Sequence, residues 1–556
     1  MAYVRETFTE DERDVLRHYV TNLDGPVFAL VNLPEVVKGA LFARYSRSPK
    51  SLRRLFLDEF VDDLDVSGDI YLDATMGLRR AEELYARVFG EYGDDSVAQL
   101  GGVHLACEQA SNILTKVLER GRLMSYLEQS TRYIPYDTRM PSGHYRYYRD
   151  PDVLESPLGA RYVGEMDRMF DTYGELLPRL EGHLRRSVQK PDAISDFAYR
   201  QSVRAAALDS LRGLLPAGAL SNVGIYGSGQ AYEMLLLRMR AHPSPEVRGY
   251  AELMLVELNK VIPSFLTRLD RPDRGGEWVE YLGGRRDEMT ALAALLFPDE
   301  PAGAVEPSVR LVDFDPAGEE KVLAAMCYPY TGVSDAEVER RVAALTPAER
   351  EELVAAYVGS RQNRRHRPGR AFERTSYRFD VVSDYGAFRD LQRHRMLTIE
   401  WQPLTTTLGY GVPPLVAEAG LEDEFVASLE RSRELHGALE ESFPEQCSYA
   451  VALAFNIRYS LQLSAREAMH VTELRSGPQG HPAYRVIAQQ MHRAIAEQAG
   501  HRALAAAMSF VDHGEVELGR LDAEQRLEVR RGGGGGAVSG PGTLSGGGRE
   551  AIRIDS

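Results

Sequence analysis

One short motif occurs twice in this chain, and the duplication limits what the chain can fold into more than any other feature. The first copy is ERGRLMSYLEQSTRY, at residues 119–133, and the second is QRHRMLTIEWQ, at residues 392–402. Each copy places two arginines two residues apart, and each is followed by polar and apolar residues in a similar order. A motif that returns far downstream in a diverged form indicates two related units in one chain.

The first copy carries groups that suit an anionic ligand. The Ser130 hydroxyl, the neighbouring backbone N–H groups and the Arg132 guanidinium lie within three residues of one another. Arginine matches phosphate oxygens with two parallel hydrogen bonds, so this stretch is a candidate phosphate cradle. A basic helix end followed by a polar loop is the simpler interpretation of the first copy alone. The second copy favours the functional interpretation.

Composition excludes several classes of function. The chain has 556 residues and a net charge of −16, so we expect no binding of nucleic acid through bulk charge. Its three cysteines are far apart in sequence, which indicates a reducing, cytoplasmic location. No apolar run approaches the roughly 18 residues that a membrane-spanning helix needs, so we expect no membrane association.

The motif resembles the signature of the flavin-dependent thymidylate synthase family. The first copy reads Arg-x-Arg-x-x-Ser-x-x-Glu-Gln-Ser-x-Arg-Tyr, with Gly121 and Leu127 where the family has His and Asn. The second copy keeps the Arg-His-Arg triplet at residues 393–395. It then has Pro403 and Thr405 in place of the family's Ser and Arg.

The resemblance implies an α+β fold made of two fused copies of a flavin-dependent thymidylate synthase-like unit, each an antiparallel sheet with packed helices. We expect a first unit at 1–270, a linker at 271–308, a second unit at 309–522 and a disordered tail at 523–556. The tail prediction rests on its glycine-rich, apolar-poor composition.

Periodicity predicts several individual elements. Helices are expected at 103–124, 157–190, 385–395 and 421–442, and a strand at 375–382. The glycines that begin the stretch 224–248 do not form GxGxxG, and no strand is predicted before them, so we reject a dinucleotide-binding fingerprint there.

Matching the family motifs residue by residue implies a set of site residues. Arg475 takes the catalytic role beside the pyrimidine ring. Substrate (dUMP) binding is implied for Glu128, Gln129, Ser130, Thr131, Arg132, Arg212 and Arg393. FAD binding is implied for Glu373, Arg393, His394, Arg395, Ser464, Arg466 and His470. No metal site is expected. In the first unit, Arg238 matches the family's Leu-Arg spacing, but the arginine of its Asn-Ala-Arg motif is missing near 228–230.

The losses in the two units are complementary. The first unit keeps the nucleotide-side groups, whereas the second keeps most of the flavin-side and ring-side groups and has Ser448 where the nucleotide-binding arginine is expected. We therefore predict one composite site per chain, a lost reciprocal site, and a homodimer that forms a four-unit assembly.

The resemblance implies an enzyme that converts dUMP to dTMP with methylenetetrahydrofolate, NADPH and the cofactor FAD. Two alternatives stay open. The chain is a related flavoenzyme that modifies C5 of another pyrimidine nucleotide, or it is a pseudoenzyme that binds nucleotide or flavin without catalysis.

Overall fold

The computed structural model describes residues 3–61, 99, 101–192, 194–298, 303–515, 518–521 and 525. Within these ranges the chain forms two four-stranded antiparallel sheets surrounded by helices. The observed class is therefore mixed helix and antiparallel sheet, as the family resemblance implies. The predicted disordered tail lies outside the described residues, apart from Gln525.

The first repeat contains four strands and the helices that cover them. Its elements in chain order are α1 (Glu10–Arg17), β1 (Val27–Leu30), α2 (Glu35–Tyr45), α3 (Leu52–Glu59), β2 (Gly102–Ser111), α4 (Asn112–Leu118), β3 (Met124–Glu128), α5 (Pro151–Glu155), α6 (Gly159–Ser187), α7 (Asp196–Leu211), β4 (Leu220–Ser228), α8 (Gly229–Arg240), α9 (Pro245–Leu258) and α10 (Pro263–Leu266). The 20-residue helix α11 (Glu277–Leu296) follows and leads towards the second repeat.

The second repeat contains the same kinds of element. They are β5 (Ser308–Phe314), α12 (Gly318–Cys327), α13 (Asp335–Ala343), α14 (Pro347–Val358), β6 (Ser376–Asp384), α15 (Tyr385–Gln392), β7 (Leu397–Trp401), α16 (Pro414–Glu418), α17 (Glu422–Glu440), β8 (Asn456–Ser464), α18 (Ala465–Arg475), α19 (Pro482–Glu497) and α20 (Arg502–Ala507).

The two sheets have the same topology. The strand order is β1-β2-β4-β3 in the first and β5-β6-β8-β7 in the second. Strands β2 and β4 of the first sheet, and β6 and β8 of the second, run directly into helices whose first turns are capped by a side chain. Ser111 and Asp384 accept from the backbone at the starts of α4 and α15, and Ser228 and Ser464 do so at the starts of α8 and α18. Such caps satisfy backbone N–H groups that have no partner inside the helix.

The repeats are joined by a short ladder of backbone hydrogen bonds between equivalent segments, residues 213–218 and 449–454. The N–H of Ala217 donates to the Val451 carbonyl at 2.7 Å, and the N–H of Leu453 donates to the Leu215 carbonyl at 2.9 Å. A single hydrophobic core extends from one repeat into the other at this place. The reciprocal pattern indicates an approximate two-fold relation between the repeats.

Three local predictions were wrong in part. Residues 103–124 form strand β2, helix α4 and a turn rather than one helix. The predicted helix at 385–395 ends at Gln392, so the Arg393-His394-Arg395 triplet lies in the turn that follows. Residues 220–228, where no strand was predicted, form strand β4. The helices predicted at 157–190 and 421–442 and the strand at 375–382 are confirmed as α6, α17 and β6.

No helix in the described part of the chain combines the length and the apolar character that crossing a bilayer requires.

Candidate functional site

A polar pocket lies where the two repeats meet, and both repeats line it. The first repeat contributes Glu128, Gln129, Ser130, Thr131, Arg132 and Arg212, and the second contributes Gly386, Arg389, Asp390 and Arg393. All of the residues predicted to bind the nucleotide therefore lie around one pocket.

The loop after β3 is held in place by backbone contacts. The N–H of Gln129 donates to the Asn222 carbonyl at 2.8 Å, and the N–H of Ser130 donates to the Ser46 carbonyl at 3.1 Å. The Gln129 side chain donates to the Ser48 carbonyl at 2.6 Å. These bonds tie the loop to strand β4 and to the end of helix α2, so its groups face the second repeat from a fixed position.

Arg132 connects the two repeats. Its guanidinium forms two hydrogen bonds of 2.7 Å to the Asp209 carboxylate of the first repeat. It also donates to the Tyr484 hydroxyl at 2.7 Å and to the Gln479 carbonyl at 3.2 Å, both in the second repeat. Burial raises the pKa of Asp209, but the charge and hydrogen bonds of Arg132 outweigh burial and bring the pKa to about 2.

Asp390 is the buried anion on the opposite side of the pocket. Its carboxylate pairs with Arg212 of the first repeat at 3.2 Å and with Arg393 of its own repeat, and Arg475 lies 3.9 Å away. Burial opposes the charge on Asp390, but these arginines hold its pKa well below the ordinary value. The carboxylate therefore remains ionised and keeps the surrounding guanidinium groups together.

Glu128 is the second buried carboxylate in the pocket wall. It accepts from Arg389 of the second repeat at 2.8 Å and lies 3.4 Å from the ammonium of Lys116. Burial alone would raise the pKa of Glu128. Lys116 and Arg389 lower it by more than burial raises it, and the pKa is about 2. Glu128 thus anchors two cations beside the pocket, and a direct contact with a phosphate is unfavourable for it.

Several guanidinium N–H groups beside the pocket have no partner. The buried nitrogens without a hydrogen bond are Nη2 of Arg212, Nε of Arg389 and Nε of Arg393. Leaving a buried donor unsatisfied costs about 1–3 kcal/mol, and more when the donor is charged. The three arginines line the pocket, so an anion such as a phosphate bound there would gain from their positive charge.

A chain of contacts leads from the pocket to a second group of residues. Arg475 donates from Nε to Nε2 of His394 at 2.8 Å and from Nη2 to the Asp390 carbonyl. The Tyr484 ring lies 5.2 Å from its guanidinium carbon. Because Nε2 of His394 accepts a bond, its Nδ1 carries the proton and faces Glu467 at 3.3 Å.

His470, one of the residues predicted to bind FAD, lies beside His394. The rings of His394 and His470 lie 5.3 Å apart, and Arg367 approaches His470 at 3.3 Å. Burial, followed by Arg367, lowers the pKa of His470 to about 4, so its imidazole is neutral at pH 7. Neutral rings and nearby guanidinium groups fit a flat heteroaromatic ligand with phosphates.

Arg466 and Glu373 lie beside this group and contact each other. Arg466 donates to the Glu373 carboxylate at 3.1 Å and to the Pro368 carbonyl at 3.1 Å. Ser464 caps helix α18 through its side chain, which accepts from the N–H of Glu467. The structure therefore brings Glu373, Ser464, Arg466 and His470 to one region at the start of α18.

Arg395 was also predicted to bind FAD, but its side chain contacts the first repeat. It donates to the Met124 carbonyl and, at 3.2 Å, to the Ser125 hydroxyl, both on strand β3 of the first repeat. In this structure Arg395 joins the repeats, and its predicted role towards the cofactor stays a prediction.

His394, Glu467 and His470 bring possible metal ligand atoms within 4.8 Å of one another. Both ring nitrogens of His394 are engaged, Nε2 by Arg475 and Nδ1 by Glu467. Arg367 also lies against His470. A cation among these guanidinium groups is electrostatically unfavourable, so the chemistry of the cluster fits an anionic or aromatic ligand better than a divalent ion.

The reciprocal place, where the first motif's Arg120 and Gly121 meet the segment after β7, has different side chains from the pocket. Arg120 pairs with Glu400 at 2.9 Å and lies 5.0 Å from the centre of the Trp401 ring. Trp401 stands where the first repeat has Glu128, and Gly121 where the second repeat has His394. A Cβ at Gly121 would lie 2.6 Å from the Tyr126 hydroxyl, so a larger side chain would displace that ring.

Sequence reasoning missed several residues of this network. Arg389 and Asp390 precede the second motif on α15, and Lys116 precedes the first on α4. Asp209 lies three residues before Arg212, and Arg520 comes from the C-terminal part of the chain. A weak signal existed for Arg389 and Asp390, because positions three or four residues before Arg393 share its side of a helix turn.

The comparisons with known proteins agree with the duplicated architecture. The family model for thymidylate synthase complementing protein matches twice, at residues 44–264 and 310–499. A UPF0159 protein of Chlamydia muridarum is 40% identical over 526 residues, covering 94% of this chain and 99% of that protein.

A UPF0159 protein of Thermoplasma acidophilum is 34% identical over 525 residues, covering 89% of this chain and 99% of that protein. A solved structure of the UMP/dUMP methylase PolB from Streptomyces cacaoi, bound with 5-Br dUMP, is 21% identical. It covers 38% of this chain and 99% of its own, with a TM-score of 0.30, which carries no structural weight. The two matches of the family model span most of the chain, and the chain therefore belongs to the thymidylate synthase complementing protein family as a tandem duplication.

Proposed function

We propose that this protein is an FAD-dependent thymidylate synthase that converts dUMP to dTMP with methylenetetrahydrofolate and NADPH, using one composite site per chain. The observation that carries the proposal is the pocket in which Arg132 and Arg212 of the first repeat meet Arg393 and Asp390 of the second, with Arg475 paired to Asp390. A nucleoside monophosphate needs several cationic donors around its phosphate, and these arginines supply them.

The phosphate would be held on the side of the pocket formed by the first repeat. Ser130 offers a hydroxyl, Arg132 a guanidinium, and Arg212 a buried nitrogen without a partner. Arginine suits this task because its planar donors match phosphate oxygens in pairs. The network that surrounds them contains more cations than carboxylates, so it favours a dianionic ligand.

Arg475 is the residue that would act on the pyrimidine ring. C5 of uracil is a poor nucleophile, and a cation beside N3 and its neighbouring carbonyl stabilises negative charge that develops on the ring. The contacts with His394, Asp390 and Tyr484 fix the Arg475 guanidinium before substrate arrives, so its orientation costs little during the reaction.

FAD would be held by Arg466, His470, His394 and Glu373, with Arg367 beside them. When bound, FAD supplies the hydride that reduces the transferred methylene to a methyl group. The residues of this chain orient the nucleotide and exclude water, while His394 and His470 remain neutral because burial lowers the pKa of each imidazole.

The test is direct observation of both ligands. The purified protein is expected to show a flavin absorption spectrum after loading with FAD, and dUMP is expected to perturb it. Complementation of a thymidine-requiring strain follows, with Arg475→Ala as the variant that fails. Failure to load FAD under any condition contradicts the proposal. Flavin binding without a response to dUMP favours a different pyrimidine nucleotide.

The proposed assembly is a homodimer with four fold units. Symmetric closure is the usual outcome for soluble oligomers. Sedimentation equilibrium is expected to give twice the mass of one chain, and a strict monomer would contradict this part of the proposal.

A further inference from the structure

A short C-terminal segment, residues 518–521, reaches the nucleotide pocket. Leu518 and Arg520 are buried, and the N–H of Leu521 donates to the Leu518 carbonyl at 2.9 Å. No motif of the sequence analysis predicted a role for this segment, yet its arginine lies against the loop proposed to hold the phosphate.

Arg520 makes three kinds of contact with that loop and its anchor. One Nη donates to the Arg132 carbonyl at 3.2 Å, and the other lies 3.4 and 3.5 Å from the Asp209 carboxylate oxygens. Its guanidinium carbon stacks 4.5 Å from the centre of the Tyr133 ring. Arg520 therefore joins residues 132–133 to helix α7 through the carboxylate that also binds Arg132.

Sharing Asp209 has an electrostatic consequence for Arg132. The Arg132 guanidinium donates to Asp209, Tyr484 and Gln479. An arginine that turns towards an incoming anion would leave a buried carboxylate unpaired, and an unpaired buried charge is strongly unfavourable. A second arginine on Asp209 removes this cost.

The segment is seated by a close backbone approach. A Cβ on Gly519 would lie 1.8 Å from the Pro478 carbonyl oxygen. Residues 477–480 form the turn whose Gln479 carbonyl accepts from Arg132. Gly519 thus lets the segment pack on the same turn that contacts Arg132, and a larger residue there would move Arg520 away.

We infer that Arg520 is a positioning residue for the phosphate cradle: it holds the Arg132 loop and neutralises Asp209, so that Arg132 is available to a phosphate monoester. The inference rests on the proposed function for the role of Arg132 in binding phosphate and for the choice of dUMP as the ligand. Arg520 itself acts through Arg132 and Asp209.

The experiment compares dUMP binding by calorimetry among full-length variants. Arg520→Ala and Gly519→Ala are each expected to weaken binding at least tenfold, whereas Arg520→Lys recovers part of the affinity because it keeps the charge near Asp209. In steady-state assays the loss is expected in KM, with kcat nearly unchanged. Deletion of residues 532–556 is the matched control, since it retains Arg520 and is expected to bind normally.

The outcomes separate the inference from the proposed function. Equal dUMP affinity in the wild type, Arg520→Ala and Gly519→Ala overturns the inference. If the wild type binds no dUMP, the proposed function fails, and inorganic phosphate becomes the probe. A rise in Tm with phosphate in the wild type that is lost in Arg520→Ala then supports the inference, and an equal rise, or none in either chain, overturns it. If circular dichroism shows that Arg520→Ala is unfolded, the same comparison is made between Arg520→Lys and the wild type.

Discussion

Arg122 and Arg395 make reciprocal contacts across the junction of the repeats. Arg122 donates to the Leu397 carbonyl at 3.1 Å and to the Thr398 hydroxyl at 3.0 Å. Arg395, at the equivalent position, donates to the Met124 carbonyl and to the Ser125 hydroxyl. Each arginine thus binds the first two residues of the other repeat's edge strand. Two-fold structure has persisted here, although the pocket residues have diverged.

This reciprocity predicts equal structural roles and unequal functional ones. Arg122→Ala and Arg395→Ala are each expected to lower the free energy of unfolding by about 1 kcal/mol, because each removes similar, partly exposed hydrogen bonds. Only Arg395→Ala is expected to reduce FAD retention as well. Urea denaturation and flavin absorbance measure the two effects. Loss of flavin in Arg122→Ala but not in Arg395→Ala would reverse the assignment of the cofactor side.

Asp390 is expected to stabilise the ligand-free pocket. Asp390→Asn leaves Arg212, Arg393 and Arg475 without their shared carboxylate, so we predict a loss of about 3–5 kcal/mol in the free energy of unfolding. The folded pKa of Asp390 lies well below 3.8, so this contribution is complete above that value and is lost only as pH falls through the folded pKa.

The corresponding measurement is denaturation of both chains between pH 5 and pH 8, where the difference is expected to be constant. Phosphate is expected to stabilise Asp390→Asn more than the wild type, because an anion restores the missing charge. A stability unchanged by the substitution would show that the arginines do not depend on Asp390.

The raised pKa of Glu467 predicts that the free energy of unfolding depends on pH. Burial raises its pKa to about 7 from an ordinary value of 4.5, with Arg367 and Arg466 opposing the shift. Between these values the folded chain binds more protons than the unfolded chain, so stability falls as pH rises from about 4.5 to 7. Glu467→Gln removes this part of the slope, and we expect the variant to gain about 2–3 kcal/mol relative to the wild type at pH 8.

Guanidinium chloride titrations at several pH values measure this difference. A slope that is the same in Glu467→Gln and in the wild type would show that Glu467 titrates normally.

The sequence predicted the duplication and seven of the ten residues that line the pocket, because both are carried by short local motifs. It did not predict strand β4, whose Gly224 and Gly227 weaken the strand pattern. A Cβ at Gly224 would lie 2.7 Å from the Phe42 ring, so packing against that ring requires a glycine there.

The partners of the pocket arginines were also out of reach of sequence reasoning. Arg132 contacts Tyr484, and Arg212 contacts Asp390, across separations of 352 and 178 residues. Such pairs depend on how the repeats dock, which no local periodicity encodes. Arg520 is the extreme example, because it lies 388 residues from the carbonyl that it binds.

The strongest test of a single composite site compares two arginines that occupy similar places in the two repeats. Leu474-Arg475 ends helix α18, and Leu237-Arg238 lies near the end of helix α8. Arg475 is bound to His394 and Asp390, whereas Arg238 lies in the first repeat, which has Gly121 in place of the histidine. We predict that Arg475→Ala lowers kcat/KM for dTMP formation by about 10²–10³, the loss expected on removing one preorganised electrostatic group.

Arg238→Ala is expected to keep the wild-type kcat/KM, since its crevice lacks the groups that hold a nucleotide. Tritium release from C5-labelled dUMP measures both variants, and retained flavin absorbance shows that each is folded. If Arg238→Ala loses half or more of the wild-type activity, and Arg475→Ala keeps the part that Arg238→Ala loses, each chain has two working sites. The division of tasks between the repeats is then wrong.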